Sequence, residues 1–86
     1  MTREQLTDEL VDLISAEIAV VDLDIDADTD LLLTGAVDSL GVIRIVDWIE
    51  DRLDIDIDPA DVVLENFISV AAMVGYLGGR AAVVAS

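Results

Sequence analysis

The chain has 86 residues, 55% of them apolar, with 19 acidic and 4 basic side chains, a formal net charge of −15, no cysteine and no histidine. This balance argues against nucleic acid or an anionic membrane surface as a partner, because neutralising phosphates takes clustered lysine and arginine. Without cysteine there is no disulfide framework and no thiol of its own, and no apolar run approaches the roughly 20 residues of a membrane span.

The length predicts one small domain, read as residues 1–80 with a tail over 81–86 expected to fray. Such a domain buries roughly 60–65% of its unfolded surface. Its core is aliphatic, since Trp48, Phe67 and Tyr76 are the only aromatic residues. Residues Met1 to Gln5 lack the basic and apolar regions of a signal peptide, so the chain reads as cytoplasmic. Proteins with a basic face are the expected partners of so acidic a surface.

Residues 2–20 predict a first helix. Thr2 and Gln5 fit a capping box, and Leu6, Leu10, Leu13, Ile14, Ile18 and Val21 recur at spacings of three and four. Residues 21–28 alternate apolar and acidic, which is a strand period. The only similar run, Asp54 to Asp58, would set like charges side by side if the two paired. Residues 22–37 are therefore read as a long ordered loop, anchored inward by Leu23, Ile25 and Leu31 to Leu33. A loop this long in a small domain is usually functional.

Residues 39–53 predict the second helix, with Asp38 as its N-cap. Val42, Ile45, Val46, Ile49 and Leu53 share one face. Leu40, Arg44, Asp47, Asp51 and Asp54 lie opposite, and Trp48 leans towards them, either packed under the 22–37 loop or exposed to partners. Asp58-Pro59-Ala60-Asp61 is a helix start and predicts a short third helix over 59–65. Ser69 caps a last helix carrying Val70, Met73, Val74 and Leu77, and Gly78-Gly79 ends it. The fold class is all-α: four helices, the third short, with a long connection between the first two.

The informative run is Thr34-Gly35-Ala36-Val37-Asp38-Ser39-Leu40-Gly41. Ser39 cannot be a triad nucleophile, because the chain has no imidazole to serve as its base. At the first helical position its hydroxyl faces solvent. The amides of Leu40 to Val42 and the helix dipole then favour an anionic group carried there. Gly35 and Gly41 supply small flanking surfaces. On these residues alone, Asp38-Ser39 is also an ordinary helix cap.

Asp38-Ser39-Leu40 at a loop-to-helix junction resembles the attachment site of acyl and peptidyl carrier proteins. So do the helix from Gly41 to Leu53 with Glu50 near its end, Ile55-Asp56-Ile57 before a short acidic helix, and Glu65-Asn66-Phe67-Ile68-Ser69-Val70. The resemblance spans roughly residues 5–78. It implies a four-helix carrier bundle, a 4'-phosphopantetheine arm on Ser39 and a chain without catalysis of its own. It also implies modification by a phosphopantetheinyl transferase, loading by an adenylating enzyme or acyltransferase, and delivery to a downstream transferase or synthase. The chain is expected to act as a monomer. Recognition by these partners is expected from Asp38, Leu40, Gly41, Ile43, Arg44, Asp47, Trp48 and Asp51.

Fatty-acid carriers usually follow Asp-Ser-Leu with an acid, where this chain has Gly41, and place another acid at the position of Arg44. Peptidyl carrier domains usually have Gly-Gly where this chain has Ala36-Val37. The run is similar to discrete, free-standing carriers, either D-alanyl carrier proteins that serve cell-envelope modification or carriers of natural-product pathways. Abundant Ala, Val and Asp without lysine favours a polyketide or non-ribosomal peptide pathway. An unmodified acidic helical adaptor and a small divalent-ion buffer are the other readings. Asp54-x-Asp56-x-Asp58 with Glu65 matches several calcium-loop positions, but Pro59 stands where the turn needs glycine.

Overall fold

In the computed structural model, residues 2–20 and 24–78 are described. Four α-helices account for most of them, and no strand occurs among the described residues. Helix α1 spans Arg3–Leu13. Its N-terminus is the reciprocal capping box expected from Thr2 and Gln5: Gln5 N–H donates to Thr2 Oγ1 at 3.1 Å, and Thr2 N–H donates to Gln5 Oε1 at 2.9 Å. The helix then widens into a π turn over Ile14–Ile18, closed by Ala19 N–H donating to Ile14 O at 2.8 Å, and stops short of the predicted residue 20.

The stripe itself explains the wide turn. Leu6, Leu10, Ile14 and Ile18 recur at spacing four and all are buried. In an unbroken α-helix each such step overshoots the turn by about 40°, so Ile18 would drift about 120° from Leu6. An extra residue in the last turn cancels part of that drift and keeps Ile18 in the core.

Helix α2 spans Ser39–Leu53, as predicted. Ile45, Ile49 and Leu53 are buried, while Val42, Val46 and Trp48 pack half-buried at the edge of the core. The predicted third helix over 59–65 is two pieces. Pro59–Asp61 is a 3-10 turn capped by Asp58, whose Oδ1 accepts from Ala60 N–H at 2.9 Å. Helix α3, Leu64–Phe67, follows separately. Val62 (φ −82°, ψ 75°) and Val63 (φ −126°, ψ 161°) leave helical space between them, as β-branched residues readily do. Helix α4 spans Val70–Leu77. Ser69 caps it by accepting from Ala72 N–H at 3.1 Å, and Val70, Met73, Val74 and Leu77 are all buried. Gly78 ends the helix in extended, not left-handed, backbone. The expectations for Val21, Leu23, Gly79 and the tail lie outside the described residues.

Residues 24–37 form the described part of the long loop expected, and backbone hydrogen bonds hold it. Leu31 N–H donates to Ile68 O (2.7 Å), Ala71 N–H to Ala27 O (2.8 Å) and Val37 N–H to Leu31 O (2.9 Å). Leu31 is buried and Ile25 and Leu32 are half-buried, but Leu33, expected inward, is 75% exposed. Ala36 and Val37 are buried in its place. Gly35 has φ +77°, a backbone state that glycine adopts without strain, and it makes the turn that brings Ala36 and Val37 back to the core.

The core is wholly apolar among the described residues. Each fully buried aliphatic side chain contributes about 1.5–3 kcal/mol relative to exposure. Across its surface, Arg52 Nε and Nη2 donate to Glu9 Oε1 (2.9 Å) and Oε2 (3.3 Å), tying α2 to α1. Both side chains are well exposed, so this pair contributes at most about 1 kcal/mol.

Candidate functional site

Ser39 is the first residue of α2 and is exposed. Asp38, extended at φ −94°, caps the helix: its Oδ1 accepts from Gly41 N–H at 2.8 Å, and its carbonyl accepts from Val42 N–H at 3.0 Å. Of the three amides expected to face a group on Ser39, those of Gly41 and Val42 are therefore taken by Asp38, and Leu40 N–H is left. The positive end of a 15-residue helix still stands beside the serine.

The residues expected around Ser39 separate into three groups. Leu40 (70% exposed) and Ile43 (56% exposed) are apolar side chains in solvent, with Asp47 and Asp51 exposed further along α2. Gly41, expected on the surface, is buried against Ile18 of the π turn and Val37. Arg44 is exposed, but its Nη1 donates to Glu17 O at 2.9 Å, not to Asp47 or Asp51 on its own helix. That carbonyl belongs to the last turn of the first helical segment, where carbonyls lack an intrahelical partner, and a cation there is favourable.

Trp48 takes neither position expected of it. It is half-buried beside Glu9, Asp12, Leu13, Ala16 and Glu17, in the seam with α1, and no described residue of the 22–37 loop lines that hollow. Nine residues separate it from Ser39, about two and a half turns, so the two lie on opposite sides of α2.

A cleft of about 660 Å³ opens beside Ser39. Leu32, Val37, Val42, Ile43, Val62 and Phe67 are among its lining residues, so it is mainly apolar, with Asp38 and Ser39 at its edge. Val63 and Leu64 line it as well and are themselves exposed. Sequence reasoning passed over Val62, Val63 and Leu64. Their signal was three consecutive apolar residues directly after an acidic turn, too many for a solvated linker. Two contacts set their position. Tyr76 OH donates to Asp61 Oδ2 at 2.7 Å, and Asn66 Nδ2 donates to Asp61 O at 2.9 Å, so the 3-10 turn is pinned to α3 and α4. Glu50 does the same for the preceding loop, accepting from Ile57 N–H at 2.8 Å.

These residues fit a long, flexible group joined through a phosphodiester. The hydroxyl is accessible, a helix N-terminus favours the anion, and an apolar cleft lies alongside. No helix among the described residues is long and apolar enough to cross a membrane. No curated protein matches the chain. A family model described as the phosphopantetheine attachment site matches residues 8–77, a span that takes in every helix except the first turns of α1. Domains of this family are generally non-catalytic, are modified by a phosphopantetheinyl transferase and interact with partner enzymes. The chain thus belongs to the phosphopantetheine-attachment family: it is a carrier protein with a covalently attached 4'-phosphopantetheine.

Proposed function

We propose that Ser39 is the attachment point, and that the protein holds an acyl or aminoacyl group for a natural-product pathway of the polyketide or non-ribosomal peptide type. The observation that carries the reading is the exposed hydroxyl of Ser39 at the first turn of α2, beside an apolar cleft. In the transfer, the Ser39 oxygen attacks the phosphorus of coenzyme A that bears the pantetheine. A new P–O bond forms, the pyrophosphate bond breaks, and adenosine 3',5'-bisphosphate leaves. The serine proton passes to a base of the transferase, since this chain has no histidine to take it. Once attached, the arm supplies a terminal thiol that holds cargo as a thioester.

The surface suits serial handling by several enzymes. Around Ser39 lies a collar of exposed apolar side chains: Leu40, Ile43, Val63 and Leu64. Further along α2, Asp47 and Asp51 add negative charge. A partner with an apolar patch at its active-site mouth and a basic rim matches both, and the charge raises the encounter rate. The departures from fatty-acid carriers at Gly41 and Arg44, together with the composition, support the pathway class.

The test is intact mass after incubation with coenzyme A and a broad-specificity phosphopantetheinyl transferase. One arm should add to the wild type and none to Ser39→Ala, which should keep its fold because only an exposed hydroxyl is lost. Arm transfer persisting on that variant, for instance at Ser15 or Ser69, would sink the assignment.

A further inference from the structure

The start of α2 meets the end of the first helical segment at three points. At Gly41, an added Cβ would lie 2.7 Å from Val37 Cγ1 and 2.9 Å from Ile18 Cγ2. Both neighbours are methyls of buried, β-branched side chains, whose χ1 angles are stiff. At Arg44, the guanidinium donates to the carbonyl of Glu17 at 2.9 Å. Just before the helix, Ala36 O accepts from Val20 N–H at 2.9 Å. These contacts bracket Ser39 on both sides, and apart from the one to Val37 each ends on the π turn or on the residues that leave it.

We propose that this three-point clamp fixes the pitch at which the first turn of α2 presents Ser39, and that Gly41 and Arg44 are positioning residues for arm transfer. The inference rests on Ser39 as the attachment point. Neither residue needs to touch the transferase. Gly41 sets how closely the helix approaches Ile18 and Val37, and Arg44 fixes its rotation against Glu17. Transfer requires the serine oxygen in line with a phosphorus held by another protein, and a displacement of about 1 Å in such an arrangement costs up to about a hundredfold in rate. The clamp also accounts for the missing acid after Asp38-Ser39-Leu40. A carboxylate side chain at position 41 has no room in this packing, so the collar around Ser39 stays apolar.

The experiment measures kcat and KM of arm transfer from coenzyme A, with the carrier as the varied substrate, and the melting curve of each variant by circular dichroism. Rates are taken where every variant is fully folded. Gly41→Ala should lower kcat about tenfold with a smaller change in KM, and Arg44→Met should lower it about threefold, both well inside the positioning range. Val37→Ala with Ile18→Leu removes both close methyls, and in that background Gly41→Ala should bring no further loss. A merely structural role would lower the melting temperature and leave kcat of the folded protein unchanged, and that result for both variants would overturn the proposal. Should Gly41→Ala fail to fold, Arg44→Met decides, since it alters only an exposed side chain. Wild type that takes no arm, or takes it away from Ser39, would refute the attachment point itself, a distinct outcome.

Discussion

The hydroxyl of Tyr76 on α4 donates to the carboxylate of Asp61 at 2.7 Å, across a sequence gap that includes all of α3. Its ring meets Phe67 in a tilted arrangement with centroids 6.4 Å apart. One side chain of the last helix thereby holds both the 3-10 turn and the short helix that carry one wall of the cleft beside Ser39. Tyr76→Phe keeps the ring and loses the donor. It should cost about 1 kcal/mol, less than a fully buried hydrogen bond to a charge. Hydrogen exchange should quicken at residues 61–67 while α1 and α2 are unchanged. Uniform protection across the chain would show that the turn is held by packing alone.

Asp54 closes α2 with φ +54°, the only non-glycine residue with positive φ among those described. It also puts a negative charge at the negative end of the helix. Asp54→Asn keeps a side chain that tolerates this backbone and removes the charge, so it should stabilise by about 0.3–1 kcal/mol. Asp51→Asn, one turn earlier in ordinary helical backbone, should gain less. Chemical denaturation of the two variants checks the order.

Salt should raise the melting temperature. A net charge of −15 on 86 residues repels itself, and screening or magnesium relieves the repulsion. Relief of about 1 kcal/mol moves the midpoint of a domain this size by about 4–8 °C. A midpoint that stays flat from low to high ionic strength would mean the carboxylates are already compensated.

Asp47 is the cleaner probe of partner recognition, because it is exposed and Arg44 is tied to Glu17. Asp47→Arg should leave stability within about 0.5 kcal/mol. It should slow loading by the partner enzyme that charges the arm about three- to tenfold and flatten the salt dependence of that rate. Arg44→Glu should slow loading and also destabilise, since it sets a carboxylate against the Glu17 carbonyl. Wild-type loading by both variants would remove the α2 face from recognition.

What the sequence revealed and what it concealed divide by range. The cap at Asp38, the start at Pro59, the cap at Ser69 and the extent of α2 depend on neighbours within four residues, and all stand in the structure. Arg44 reads from the sequence as a recognition residue on the polar face because its acceptor, Glu17, is 27 residues away. Gly41 has no side chain for a hydropathy pattern to register, so its burial against Ile18 and Val37 left no trace. Leu31 to Leu33 are three identical residues, and only the return of the chain through Gly35 decides that Leu31 goes in and Leu33 out. The break between the 3-10 turn and α3 was missed because Pro59 announces a start while Val62 and Val63 give no strong stop signal.

Trp48 is the chain's single tryptophan, and it stands in the seam between α1 and α2, on the far side of α2 from Ser39. Its fluorescence is therefore a built-in gauge of how those two helices sit together. Attachment of a group at Ser39 leaves the indole's surroundings untouched unless the seam itself shifts. A change in emission on modification, on loading or on partner binding would separate enzymes that merely receive the carrier from those that reshape it.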